Sequence, residues 1–464
     1  MGTAECELKF CGAAETVTGS RHLLRLGHRT ILVDCGMFQG PRELRDLNWQ
    51  PFPVDPRTID VVVLTHAHLD HCGWLPRLVA EGYAGPVYCT RGTAAVARIS
   101  LPDSGRLQEE EARYYNRKNL SRHGTALPLY TERQAFEALK HLKSFRYYEF
   151  VDLPGGATFR FLPAGHILGS AFVELYLESG ERILFSGDLG RRDRPILIDP
   201  ATVDWAEYLV LESTYGDRNH SSEDPEAVLE RLLSDALDNG RCVLIPSFAI
   251  GRTQEVLYHI RKLQADGRIG RIPVYVDSPM ATSATLLYLE SPDDQDEEMR
   301  LQLSERENPL RPDHLEFVRD VNQSKAINAM QGPMVVISGS GMCNRGRITH
   351  HLLNRLPDPS TIVLFTGYQA EGTLGREILE GAPEVTIHKR PVPVRAQIEQ
   401  LSSLSAHADQ TEILEWLSHF KEPPKTTFLV HGEPKPQEVL QGRIEAELGW
   451  RVHIPKHGEA VTLG

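Results

Sequence analysis

Six short apolar runs punctuate the first half of the chain: Glu7 to Phe10, Thr30 to Val33, Val61 to Leu64, Thr158 to Leu162, Arg182 to Phe185 and Tyr208 to Leu211. Each is followed by a polar or glycine-containing loop, the pattern of strands joined by turns. From Leu107 to Lys143 the spacing becomes helical and strongly charged, with Tyr114 and Tyr115 beside Arg113, Arg117 and Lys118, which predicts a helical excursion on the first sheet. From Pro225 onward helix-like segments alternate with Arg241 to Ile245, Val274 to Asp277, Met334 to Ile337 and Thr361 to Phe365. Such alternation implies a mostly parallel sheet with helices on both faces. After about Val394 the early character returns, with a helix from Gln410 to Phe420 and a strand from Thr426 to Val430. The pattern predicts an insertion, residues 214–395, within a first domain made of 1–213 and 396–464. The acidic run Asp293 to Glu298 is expected to be a solvated loop or helix face.

A length of 464 residues suits two or three domains, and 41% hydrophobic with 24% charged residues suits a chain that buries a core. No apolar run approaches the roughly 20 residues of a membrane helix, and Met1 to Arg21 lacks a signal-peptide pattern, so a cytoplasmic protein without membrane association is expected. The seven cysteines are scattered without a C-x-x-C pair, which argues against a disulfide framework and a zinc knuckle. A net charge of −13 counts against a protein that coats nucleic acid nonspecifically, so any such ligand is expected to be held locally.

Thr65-His66-Ala67-His68-Leu69-Asp70-His71 directly follows an apolar strand. Side chains two apart in an extended chain point the same way, so His66 and His68 can grip one metal, while the turn beyond aims Asp70 and His71 at a second. His166, Asp188, Glu212 and His431 each stand just after or at the end of a predicted strand, and Ser405-Ala406-His407-Ala408-Asp409 precedes a helix. His166 would complete the first histidine set, Asp188 can bridge both metals with its two oxygens, and Asp34 can orient a ligand from behind. Imidazole and carboxylate donors without thiolate suit zinc, with manganese and iron also compatible.

The order Asp34, His66-x-His68-x-Asp70-His71, His166, Asp188 resembles the four motifs of the metallo-β-lactamase superfamily, and Glu212, His407 and His431 resemble motifs A, B and C of its nucleic-acid-processing β-CASP branch. Pro246 to Arg252, Asp277 to Met280 and Ser338 to Met342 are similar to the branch's inserted domain. The resemblance implies an α/β fold, a metallo-β-lactamase αββα sandwich carrying an inserted doubly wound parallel α/β (β-CASP) domain. It also implies two Zn²⁺: one held by His66, His68 and His166, the other by Asp70, His71 and His431, with Asp188 between them.

A histidine at motif C, His431, is similar to the RNA-processing members, so the implied substrate is single-stranded RNA, cut as an endonuclease, with cleavage from the 5′ end as an additional expectation, to leave 5′-phosphate and 3′-hydroxyl ends. The analogy gives the leaving-group proton to His407, oriented by Glu212. Ser338, Gly339, Ser340 and Gly341, with Arg252, Arg345 and Arg347, are the expected phosphate contacts. Members often self-associate, so a homodimer is an expectation, although no interface signature stands out. The chain has no stretch for the KH domains of archaeal relatives or the added C-terminal domain of RNase J, so selection by such modules is not expected.

Two other readings are open. A small-molecule hydrolase would need only the first domain, and the insertion with Glu212 and His407 argues against it. A non-catalytic RNA-binding subunit is disfavoured because every ligand position is filled.

Overall fold

The computed structural model describes residues 6–118, 124–369 and 372–464. The chain forms two compact units, one made of residues 1–193, 198–219 and 407–464, the other of residues 194–197 and 220–406.

In the first unit two seven-stranded sheets lie face to face. One runs in the order Ala460–Leu463, Cys6–Phe10, His22–Leu26, Arg29–Val33, Val61–Val63, Val87–Thr90, Leu142–Phe145. The other runs Val452–His453, Thr426–Val430, Tyr208–Glu212, Arg182–Phe185, Ala171–Tyr176, Thr158–Pro163, Val151–Asp152. Alternate residues of the strands, among them Leu8, Val33, Val63, Phe159, Phe161, Phe185 and Phe428, fill the space between the sheets. Leu162, Phe172, Leu184 and Leu211 point the other way, onto the helices Gln410–Leu417 and Pro434–Leu448. Both faces of these strands are therefore apolar, which is why they read as continuous hydrophobic runs rather than alternating ones.

The parallel pairing of Tyr208–Glu212 with Thr426–Val430 sets Glu212 opposite Val430, so that residues more than two hundred apart in sequence leave the sheet side by side. The return strand thus delivers His431 beside Glu212.

The helical excursion starts earlier than its charge pattern suggests. One helix runs from Arg91 to Arg117 and a second from Glu132 to Leu139, after which Leu142–Phe145 is a strand. The first half of the long helix buries Gly92, Thr93, Ala94, Val96 and Ala97, small residues whose helical period is marked by few charges, Arg91 and Arg98 among them.

The second unit has a six-stranded sheet in the order Leu315–Phe317, Val274–Asp277, Met334–Ser338, Cys242–Pro246, Thr361–Phe365, Gln397–Gln400, every pair parallel. Separate apolar clusters cover its two faces. Because Gln397–Gln400 pairs with Thr361–Phe365, residues 396–406 lie with this unit, and the return to the first begins at His407 rather than at 396. The acidic run also departs from expectation: Asp294 and Gln295 are buried, Gln295 donating to the carbonyls of Tyr288 and Leu289, and Asp296 caps the helix Glu297–Ser304. Among the described residues no helix is long and apolar enough to cross a membrane.

Candidate metal centre

The first unit brings His66, His68, His166, Asp188, Asp70, His71, His431, Glu212 and His407 into one cluster. All but His407 lie at or just beyond a strand end or in the short helix Leu69–Cys72, and His407 stands three residues before the helix Gln410–Leu417. His431 has a left-handed backbone (φ 52°), as does Asp34 (φ 61°), a conformation uncommon outside glycine that Asn, Asp and His adopt more readily than other residues. The amide of His431 donates to the Ala13 carbonyl at 2.7 Å, which holds this turn in place. Gly36 packs so closely on the Asp70 backbone that a Cβ there would lie 1.7 Å from the Asp70 carbonyl oxygen. Only glycine lets the loop behind Asp70 approach.

His68 Nδ1 lies 3.2 Å from His66 Nε2 and 3.2 Å from His166 Nε2, and Asp188 Oδ2 lies 3.3 Å from each of those two Nε2 atoms. A tetrahedral ion with ligands at about 2.0–2.1 Å has edges of about 3.3–3.4 Å, so these four atoms fit one zinc. On the other side His71 Nε2 lies 3.2 Å from His431 Nε2 and 3.1 Å from Asp188 Oδ1, and His431 Nε2 lies 3.6 Å from Asp70 Oδ2. The two oxygens of Asp188 thus face two different donor sets.

Asp34 settles which nitrogen of His71 carries a proton. Its Oδ2 is 2.7 Å from His71 Nδ1, and a carboxylate only accepts, so Nδ1 donates and Nε2 is left with a lone pair toward the cluster. Asp34 also accepts from the Thr65 amide at 2.8 Å, from the Thr65 hydroxyl and from Ser20 Oγ at 3.2 Å. Asp188 Oδ1 is buried and receives no hydrogen bond although His71 Nε2 is close by. Lone pairs facing one another across 3 Å call for a cation between them.

The electrostatics agree. Burial pushes His66, His68 and His166 below the ordinary imidazole range, leaving neutral rings able to ligate. Burial would do the same to His71, but Asp188 and Asp34 outweigh it and hold that ring well above its usual value, a proton standing where a cation belongs. Burial likewise opposes ionisation of Asp188, yet the surrounding imidazoles hold it well below the carboxylate range.

Glu212, fully buried, places both oxygens near His407 Nδ1, at 3.0 and 3.1 Å. The Leu189 amide fixes Glu212 Oε1 at 2.6 Å. His407 Nε2 then points to the centre, 3.9 Å from Asp188 Oδ2. Burial lowers the affinity of His407 for a proton, but Glu212 and Asp188 reverse this and raise its pKa to about 9.

Thr65, Ser20 and Thr214 escape a reading of motifs. Thr214 Oγ1 lies 3.1 Å from His431 Nδ1 and donates to the His431 carbonyl, fixing that ring. The only signal in the sequence was that Thr65 and Thr214 stand within two residues of a strand-end ligand or acid.

Ser338, Gly339, Ser340, Gly341, Arg252, Arg345 and Arg347 belong to the second unit. Arg347 is an internal clamp, donating to Asp277 Oδ1 at 2.6 Å and to the carbonyls of Val318 and Arg319. Asp277 also accepts from Ser324 and meets His351 Nε2 at 2.7 Å. Arg252 is buried and paired with Glu255 at 2.6 Å. Both guanidinium groups, expected on a phosphate, are committed to carboxylates of their own unit, and in the Ser338–Gly341 turn the Ser340 amide donates to the Arg345 carbonyl at 3.2 Å.

Family models match residues 19–232 as the metallo-β-lactamase superfamily, 253–378 as the Beta-Casp domain and 391–455 as a Zn-dependent metallo-hydrolase RNA specificity domain. A ribonuclease of Thermus thermophilus is 43% identical over 455 residues, covering 97% of this chain and 99% of the relative. The chain belongs to the β-CASP branch of the metallo-β-lactamase superfamily.

Two archaeal proteins are also similar to the chain. An RNase J-like protein of Methanocaldococcus jannaschii is 31% identical over 92% of each chain, and the transcription termination factor FttA of the same organism is 30% identical over 98% of this chain and 71% of its own. A solved structure of a protein of unknown function from Enterococcus faecalis shares the fold, with a TM-score of 0.56 and 15% identity over 99% of this chain and 100% of that one. Membership of a Zn-dependent metallo-hydrolase family agrees with the donor geometry in assigning a metal cofactor to this β-CASP protein.

Proposed function

We propose that the protein is a two-zinc ribonuclease that hydrolyses single-stranded RNA to 5′-phosphate and 3′-hydroxyl ends. One observation carries the reading: Asp188 turns one oxygen to His66 and His166 and the other to His71, while His407 Nε2 looks onto the same point. His66, His68, His166 and Asp188 would hold one ion and Asp70, His71, His431 and Asp188 the other. Zinc pairs of this kind activate water at neutral pH and stabilise charge on the attacked and departing oxygens.

The rest falls to the chain's own groups. Glu212 accepts a hydrogen bond from the Nδ1–H group of His407, which fixes the ring and favours its charged form. The Nε2 proton of that imidazolium is then transferred to the departing 3′ oxygen as the phosphorus–oxygen bond breaks, leaving a neutral ring. Asp34 holds His71 with its ligating nitrogen inward.

The names of the relatives and the RNA specificity domain support RNA over a small molecule. The test is to incubate zinc-loaded protein with 5′- and internally labelled RNA beside Asp188→Ala. Cleavage by the wild type alone, with 5′-phosphate and 3′-hydroxyl ends and about two zinc ions per chain by metal analysis, is the expected result. Ends carrying a 2′,3′-cyclic phosphate would overturn the scheme, because the 2′-hydroxyl would then be the attacking group.

A further inference from the structure

The far end of the helix Arg91–Arg117 has no part in the metal centre, yet its composition is unusual for this chain. From Ala112 to Thr131 the sequence contains Arg113, Arg117, Lys118 and Arg122 and no acidic residue, in a protein with 63 Asp and Glu against 50 Lys and Arg. Tyr114 and Tyr115 are 44% and 39% exposed, and Arg113, Arg117 and Lys118 are exposed beside them. Earlier in the helix the charges neutralise one another, Arg106 pairing with both Asp103 and Glu110. Arg117 and Lys118 have no acidic residue within a helical turn on either side.

Cations in a last turn are commonly explained by the helix dipole. That accounts for Arg117 and Lys118 but not for two adjacent exposed tyrosines. The two rings meet edge to face, with centroids 6.1 Å apart and planes at 86°, so they present their faces in different directions. Aromatic faces interleaved with cations are what a single strand of nucleic acid uses: bases stack on the rings and phosphates meet the cations, without sequence readout.

We propose that Tyr114, Tyr115, Arg117 and Lys118 form a second RNA-holding surface, remote from the metal centre, for the strand the centre cleaves. This rests on the ribonuclease reading. The helix itself sets the spacing. Its first turn is fixed to the loop that carries His166, through the hydroxyls of Thr90 and Thr93, which donate to the Gly169 carbonyl at 2.6 and 2.7 Å. From Thr93 to Tyr114 the rise of about 1.5 Å per residue gives roughly 30 Å. A stacked strand advances about 3.4 Å per nucleotide, so about nine nucleotides are needed to span that distance. The surface therefore acts on long RNA and is invisible to short RNA.

The test compares kcat and KM of the zinc-loaded full chain on a 4-nucleotide and a 20-nucleotide unstructured RNA. Tyr114→Ala/Tyr115→Ala should raise KM for the 20-mer about tenfold or more and leave kcat, and both constants for the 4-mer, unchanged. Tyr114→Phe/Tyr115→Phe should restore wild-type values, because the stacking faces remain. In Arg117→Ala/Lys118→Ala the dependence of log affinity on log salt for the 20-mer should be shallower by roughly 1.4, two phosphate contacts at about 0.7 each. Equal losses on both lengths, or none on either, would overturn the proposal. So would an unchanged 20-mer KM with loss of a dimer in sedimentation, which would assign the face to a second copy of the chain. If the wild type cleaves neither RNA, the ribonuclease reading fails, and fluorescence anisotropy of the labelled 20-mer with the same variants still decides the surface.

Discussion

Glu212 holds both of its carboxylate oxygens within 3.1 Å of Nδ1 of His407, a residue 195 positions further along the chain. Neither oxygen is free to turn away, since the Leu189 amide fixes Oε1 and the carboxylate is wholly buried.

The pair predicts a pH profile. His407 carries a folded-state pKa raised to about 9, so it is protonated below that value and loses its proton as pH rises through it. Activity that needs this proton falls on the alkaline side, with the falling limb at or below about pH 9, because bound cations repel an imidazolium. Glu212→Gln removes the carboxylate that raises the pKa, so the limb should move to lower pH and kcat near neutrality should drop by about 10²-fold or more. A pH–rate profile of the variant with its limb unmoved would show that the two residues do not act together.

Asp34 predicts metal affinity rather than rate. Its bond to His71 Nδ1 fixes the ring whose other nitrogen faces Asp188 and His431. Asp34→Ala should weaken zinc binding by about 10- to 100-fold, measured by competition with a chromophoric chelator. At saturating zinc much of the activity should return.

His22 predicts acid sensitivity. It lies buried between Phe10 and Phe185, and burial pushes its pKa down to about 4. An unfolded histidine near 6.5 binds more protons than the folded one between those two values, so stability falls as pH drops through that window. His22→Phe keeps the apolar packing and removes the titration. Between pH 7 and pH 5 the variant should lose about 2 kcal/mol less stability than the wild type, read from urea unfolding at the two pH values. Equal losses would place the titrating group elsewhere.

The site was legible where chemistry is local. His66 to His71 announces itself because a strand and a turn bring its donors together within six residues. His166, Asp188, Glu212 and His431 could be found because each follows an apolar run, and parallel strands leave their ends on one edge. What could not be read is what tertiary approach alone decides. Thr65 and Thr214 are ordinary threonines until Asp34 and His431 reach them.

Arg347 is expected at a phosphate from its place beside a glycine-rich turn, and nothing in that local pattern announces the bond to Asp277, seventy residues away. The strand Ala171–Tyr176 was missed for a related reason. Its buried Glu174 interrupts the apolar run and is neutralised by Arg160 and Arg182 on neighbouring strands. The family resemblance supplied the role of Glu212 and His407, which spacing alone does not give.

The parallel pairing that seats Thr426–Val430 against Tyr208–Glu212 also governs when a newly made molecule acquires its chemistry. A chain growing on the ribosome can close the second unit once residue 406 has emerged, but until Val430 and His431 follow, the first unit lacks an interior strand and one of its donor sets. A chain that stops short of Val430 therefore holds at most the donor set of His66, His68, His166 and Asp188, and not the one that His431 completes.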